Sequence, residues 1–261
     1  MPDSPRAKKS LGQHWLHDEA SLDAMVAAAA VGADDTVLEI GPGPGTLTAK
    51  LAARAKQVVA VEFDEHLARE LPVRVPAANL QVVHQDILRF NLTKLPAGYK
   101  VAANIPYYLT SKLLRVLCES ANPFSNAAIL IQKEVAERVC AKPGDMSLLS
   151  VSTQFYCEAS LGELVPAELF TPPPKVDSQI LKLTYRPTPL FPDADTKLFF
   201  RIVKAGFSQR RKTLLNSLSA GLHLSREQAA GLLEQAGIPP SSRAQNLRLE
   251  EWYALYKAYA V

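Results

Sequence analysis

The segment from Thr36 to Glu62 constrains the fold more than any other. Thr36-Val-Leu-Glu-Ile40 is a short β-branched run that ends in Gly41-Pro-Gly-Pro-Gly45, after which Thr46 to Lys56 has helical character. Glycines at that junction let the backbone turn sharply and approach a ligand more closely than a Cβ allows. A second strand-like run, Gln57–Glu62, and a helical stretch from His66 to Leu71 complete the spacing of a βαβ unit. Further apolar runs at Gln81–His84, Lys100–Asn104 and Ala127–Gln132, with a helix expected over Ser111–Ser120, continue the alternation. The pattern predicts an α/β domain with a parallel, doubly wound sheet and a ligand at the carboxyl ends of its strands.

Beyond residue 150 the pattern changes. Ser150–Cys157 and Val176–Arg186 read as strands flanking a Pro-rich corner, Phe170-Thr-Pro-Pro-Pro-Lys175. The Pro-containing connection Arg186–Asp193 is the best boundary, giving domains over 1–186 and 187–261. The second is expected to be all-helical, with helices over Thr196–Phe207, Arg210–Ala220, Ser225–Ala236 and Leu249–Tyr259, Ser225 as an N-cap and Gly237 as a stop. It also holds the excess positive charge: ten Lys and Arg against six Asp and Glu, in a chain of net charge +3. Lys197, Arg201, Lys204, Arg210, Arg211 and Lys212 lie in a stretch without one acid, which suggests a polyanionic partner and phosphate contacts.

Several classes are excluded. The longest small-apolar run, Met25–Val31, is far short of the ~20 residues of a membrane span. The N-terminus is basic but has no apolar core after the basic residues, so a cytoplasmic protein without a secretory signal is expected. Cys118, Cys140 and Cys157 are odd in number and lack a C-x-x-C pair, which points to reduced thiols. His14 has no metal-ligand partners in sequence, and no metal is expected.

Three strand ends carry the chemistry. Glu62 stands 21 positions after Gly41, where a carboxylate can accept bonds from ribose hydroxyls. Asp86 follows the third strand and is placed to accept from an adenine amine. A dinucleotide fingerprint would need glycine at position 46, which is Thr46, so a nicotinamide cofactor is disfavoured and S-adenosylmethionine fits better. Asn104-Ile-Pro-Tyr107, at the fourth strand end, is the most specific motif. The Asn104 side-chain carbonyl and the Ile105 or Pro106 main-chain carbonyl can bind the two N–H groups of an adenine amine, while Tyr107 stacks on the base. Phe170 is a candidate for the other face of that base. Trp15 either caps the cofactor pocket or anchors the N-terminal arm.

These segments together resemble the small-subunit ribosomal RNA adenine N6,N6-dimethyltransferases of the KsgA/RsmA type. The resemblance runs through Lys8-Lys-Ser-Leu-Gly-Gln-His-Trp-Leu16, Leu38–Thr48, Val61–Asp64, Gln85–Leu88, Asn104–Tyr107, Gln132–Val139, Phe170–Ser178 and Phe207-Ser-Gln-Arg-Arg-Lys212. It implies a Rossmann-like methyltransferase domain with a small helical C-terminal domain, and dimethylation of two adjacent adenines near the RNA 3′ end during small-subunit assembly. Carried over by motif, His14, Leu16, Gly41, Gly43, Glu62, Asp86 and Asn104 would bind S-adenosylmethionine, and Arg210, Arg211 and Lys212 would bind RNA. The protein is expected to be a monomer. A large-subunit adenine methyltransferase of the resistance type and an assembly factor acting mainly by binding are the alternatives.

Overall fold

The computed structural model describes residues 7–8, 11–209 and 211–260. By their contacts these form two units, one of residues 1–136 and 157–185, the other of residues 137–156 and 186–261.

The first unit runs β1 (Trp15–Leu16), α1 (Glu19–Ala28), β2 (Thr36–Ile40), α2 (Thr46–Ala52), β3 (Gln57–Glu62), α3 (Glu65–Arg74), β4 (Leu80–His84), β5 (Lys100–Asn104), α4 (Thr110–Cys118), β6 (Asn126–Gln132), the start of α5 (Lys133–Val139), β7 (Cys157–Val165), β8 (Phe170–Thr171) and β9 (Ser178–Tyr185). Seven strands form one sheet in the order β4-β3-β2-β5-β6-β9-β7. The β4 to β6 part is parallel. The expectation of a wholly parallel sheet fails at one edge, because β9 is antiparallel to both β6 and β7. The reason is local: no crossover helix separates β7 from β9, so the chain folds back through the Pro-rich corner and β9 inserts beside β6.

The strand order reverses between β2 and β5, with β3 and β4 to one side and β6 to the other, which opens a crevice at the carboxyl ends of β2 and β5. Leu22, Met25 and Val26 of α1 and Leu47 and Leu51 of α2 cover Val37, Val58 and Ala128 of the sheet. Each of these Leu, Met and Val side chains contributes roughly 1.5–3 kcal/mol on burial. β1 pairs with β8, Trp15 opposite Thr171 and Leu16 opposite Phe170, which ties the N-terminal arm to the Pro-rich corner.

The second unit contains α6 (Leu148–Tyr156), α7 (Thr196–Phe207), α8 (Leu214–Leu222), α9 (Arg226–Gln235) and α10 (Leu249–Ala260). Its core joins Val151 and Phe155 to Phe199, Ile202, Leu218, Leu233 and Trp252. Ser150–Cys157, expected as a strand, is mostly α6. Ser147 and Ser150 cap it reciprocally, the Ser147 amide donating to Ser150 Oγ at 2.6 Å and the Ser150 amide to Ser147 Oγ at 3.2 Å. Helical spacing of Val151 and Phe155 then buries one face. Residues 137–156, which the Pro-based boundary places in the first domain, pack with the C-terminal unit. The helix expected from residue 210 starts at Leu214, because Gln209 accepts the Lys212 amide in a turn and Thr213 is extended. Ser225 does cap α9, in a capping box with Gln228, and Gly237 follows it at φ +67°.

No helix among the described residues is long and apolar enough to cross a membrane. Cys118 and Cys157 are buried with their sulfurs 3.9 Å apart and unbridged.

Candidate active site

A cavity of about 210 Å³ lies at the carboxyl ends of β2, β3, β4 and β5, within the first unit. Gly41, Glu62, Asp86, Asn104, Tyr107 and Phe170 all line it, with His14 and Trp15 from the N-terminal arm. The sequence-based candidates from four separate strand ends therefore meet in one place.

Glu62 is almost fully buried, and its carboxylate is positioned by the backbone. Oε2 accepts from the Gly43 amide at 3.1 Å and Oε1 from the Asp64 amide at 2.8 Å. Burial nevertheless raises its pKa above the usual carboxylate range, with the nearby Asp64 charge adding to the shift. At Gly43 the close approach that glycine permits is made by a side chain of the protein itself. Gly43 has φ +56°, and a Cβ there would lie 2.6 Å from the Trp15 ring. The space is thus taken by the indole of the arm, which anchors Trp15 and aims the Gly43 amide at Glu62. Trp15 lines the cavity as well, so the two readings of this residue are compatible.

Asp86 caps a 3-10 turn over Ile87–Arg89, Oδ1 accepting from the Leu88 amide at 2.9 Å. Leu16 is buried in the core and its carbonyl accepts from the Thr46 hydroxyl at 3.0 Å. It borders a smaller cavity beside Glu39 instead of the main one. The His14 ring donates through Nδ1 to the Pro172 carbonyl at 2.7 Å and lies stacked on Tyr107, centroids 6.1 Å apart. Its backbone carbonyl faces the Asn104 amide nitrogen at 3.5 Å. The side-chain nitrogen of Asn104 is thereby directed toward the arm, leaving Oδ1 as the group for a ligand amine.

Pro106 accepts from the Leu109 amide at 3.0 Å, closing the 3-10 turn that follows the motif. That bond occupies one of the two lone pairs of the Pro106 carbonyl, so both Ile105 and Pro106 remain candidate acceptors for a second N–H. The Tyr107 hydroxyl shares a 2.8 Å hydrogen bond with Ser178 Oγ, and burial raises its pKa. Ser178 is fully buried at the start of β9. Phe170 is 3% exposed, a core side chain with an edge on the cavity.

Two residues escaped the sequence reading of roles. Ser178 ends the Phe170–Ser178 segment, but nothing in sequence reveals its partner Tyr107. Glu39 opens the glycine motif and is completely buried, with neither carboxyl oxygen hydrogen-bonded among the described residues. Burial pushes its pKa up to about 8, partly offset by the neighbouring Thr48 hydroxyl, and the Glu62 charge adds to the shift. Arg211 and Lys212 are exposed between α7 and α8, while Arg210 lies outside the described residues. Among the described residues no group of three or more potential ligand side chains could hold a metal ion.

A sequence profile for the family described as "Ribosomal RNA adenine dimethylase" matches residues 5–261. The chain is 42% identical over 259 residues to "Ribosomal RNA small subunit methyltransferase A" of Dehalococcoides mccartyi strain CBDB1, covering 98% of this chain and 89% of that one. It is 39% identical to the protein of the same name from Bacillus cytotoxicus, over 96% of this chain and 90% of that one. Among solved structures, a dimethyladenosine transferase from Plasmodium falciparum superposes with TM-score 0.80 at 28% identity, covering 93% of this chain and 96% of the other. The 23S rRNA methyltransferase ErmE gives TM-score 0.75 at 30% identity, covering 95% and 100%. The chain belongs to the ribosomal RNA adenine dimethylase family.

Proposed function

We propose that this protein dimethylates two adjacent adenines near the 3′ end of small-subunit ribosomal RNA, acting as a cytoplasmic monomer on an assembling subunit. The observation that carries the reading is Asn104-Ile-Pro-Tyr107 at the end of β5, opening onto the cavity that Glu62 and Asp86 share. The names of the relatives at 39–42% identity favour the small subunit over the large one.

The cofactor is S-adenosylmethionine, which supplies an electrophilic methyl group when bound. The donor set suits it: carboxylates at two successive strand ends, Glu62 and Asp86, line the cavity for ribose and adenine. Glu62, Asp86, Gly41 and Asn104 would hold it, with His14 and Leu16 contributing from the arm and Gly43 acting through Glu62.

The remaining work falls to Asn104, Ile105, Tyr107 and Phe170. An exocyclic adenine amine is a poor nucleophile because its lone pair is delocalised into the ring. Asn104 Oδ1 and the Ile105 or Pro106 carbonyl accept its two N–H groups and favour the pyramidal geometry that frees the lone pair. Pro106 fixes the turn, and Tyr107, pinned by Ser178, stacks on the extruded base, with the Phe170 edge opposite. No general base is required, since the proton on the alkylated nitrogen is acidic enough to pass to water. Arg210, Arg211 and Lys212 supply phosphate contacts in the second unit.

The test is to incubate unmethylated small subunits, and separately unmethylated large subunits, with labelled S-adenosylmethionine and map the modified bases. Dimethylated adjacent adenines in the small-subunit RNA alone are expected. Label confined to large-subunit RNA would overturn the assignment.

A further inference from the structure

The turn after the adenine-binding motif carries two tyrosines with opposite environments. Tyr107 is half-buried and tied to Ser178. Tyr108, its neighbour, is 69% exposed, lines the same cavity, and has no hydrogen bond from its hydroxyl among the described residues. Leaving so large an aromatic surface in water at the rim of an active site is unfavourable unless something covers it in use. Among the described residues of the arm, Gly12, at φ +62°, lies beside the ring, where a Cβ would sit 3.8 Å from Tyr108 Cδ1 and 3.6 Å from Pro106 Cβ. Glycine at that position offers the ring edge no side chain. Lys112, one helical turn further along α4, also borders the cavity and is exposed, with no ion pair among the described residues.

We infer that Tyr108 and Lys112 form a subsite for the nucleotide that flanks the target adenine, the ring stacking on its base and the ammonium pairing with its phosphate. The inference rests on the RNA adenine reading above. Drawing an adenine out of its stack leaves the neighbouring base with one bare face. An exposed aromatic one residue from the ring that holds the target replaces the lost stacking without demanding a particular base. Lys112, on the same cavity rim, supplies a positive charge for the phosphate that such a base carries. Because the product of the first site is the neighbour of the second, the same subsite would seat one adenine while the other is modified.

The test compares Tyr108→Ala, Tyr108→Phe and Lys112→Ala with the unaltered protein, on unmethylated small subunits and on a fluorescent single-stranded oligoadenylate. The subsite predicts that Tyr108→Ala lowers kcat/KM on subunits by roughly fivefold to a hundredfold, mainly through KM, while Tyr108→Phe stays within about twofold. It predicts a parallel loss of oligoadenylate affinity, a shallower salt dependence for Lys112→Ala, and an unchanged dissociation constant for S-adenosylmethionine in all three. Wild-type behaviour of Tyr108→Ala in both assays overturns the inference. So does an equal loss of cofactor affinity, which would make the ring a wall of the cofactor pocket, or a Tyr108→Phe variant as impaired as the alanine. If the unaltered protein labels no small-subunit adenine, the RNA substrate reading fails instead, and oligoadenylate binding by the variants still decides for or against the subsite.

Discussion

Glu39→Gln replaces a buried acid with a neutral side chain of nearly the same shape, and its consequence depends on pH in a direction the structure dictates. In the folded protein the Glu39 pKa is about 8, against an ordinary value of 4.5. An acid whose folded pKa is raised binds its proton more tightly when folded, so its stability contribution is intact below pH 4.5 and is lost as pH rises toward 8. Linkage at about 1.4 kcal/mol per unit makes the loss about 1 kcal/mol at pH 5 and about 4 kcal/mol at pH 7.5. Glutamine lacks this loss, so Glu39→Gln should gain about 3 kcal/mol over the unaltered protein between those pH values. Glu62, raised in the same direction, titrates in both proteins and cancels from the comparison to first order. Hydrogen exchange of the β2 and β3 amides, compared between the two proteins at each pH, reads the opening of this unit. The relative protection of the variant should rise a hundredfold or more from pH 5 to pH 7.5. Parallel profiles for the two proteins would show that Glu39 is ionised, or solvated, in the folded chain, and the reasoning from burial would fail.

Glu62→Ala should weaken S-adenosylmethionine binding roughly tenfold to a hundredfold by calorimetry, as expected for losing a charged acceptor at about 1.5–3 kcal/mol, and unchanged affinity in a folded variant would remove Glu62 from the site. Tyr107→Phe and Ser178→Ala should each slow methyl transfer by a similar few-fold factor, with the double variant no worse than either, because both delete one hydrogen bond of about 0.5–1.5 kcal/mol. Additive losses would show that the pair does not act through that bond, whereas Tyr107→Ala should abolish activity by removing the ring. Replacing Arg210, Arg211 and Lys212 with Ala should flatten the salt dependence of RNA affinity by up to about 0.7–0.9 in slope per lost phosphate contact, and an unaltered slope would assign them to solvent.

The parallel part of the sheet and the meeting of Gly41, Glu62, Asp86 and Asn104 were legible in sequence, because strand-end position in a βαβ series determines where a side chain points. The antiparallel β9 was not, since pairing direction depends on the length of the connection after β7 and not on the apolar pattern of β9 itself. Ser150–Cys157 misled because β-branched and aromatic residues suit either element. The deciding contacts were the Ser147–Ser150 cap and a core formed with distant helices. Gly43 was legible as a glycine and not as the seat of Trp15, which comes from 28 positions earlier in the chain. Ser178 and Tyr107 are likewise partners only in space, so the restraint on the stacking ring could not be read from either segment alone.

The central claim is that Asn104 orients the target amine for the chemical step. Single-turnover methyl transfer by Asn104→Ala at saturating small subunits and saturating cofactor measures it most directly, alongside the affinities of the variant for those subunits and for S-adenosylmethionine. A rate depressed far more than RNA affinity is expected, because the Asn104 carbonyl matters most as the nitrogen pyramidalises in the transition state. A near-normal rate would contradict the mechanism.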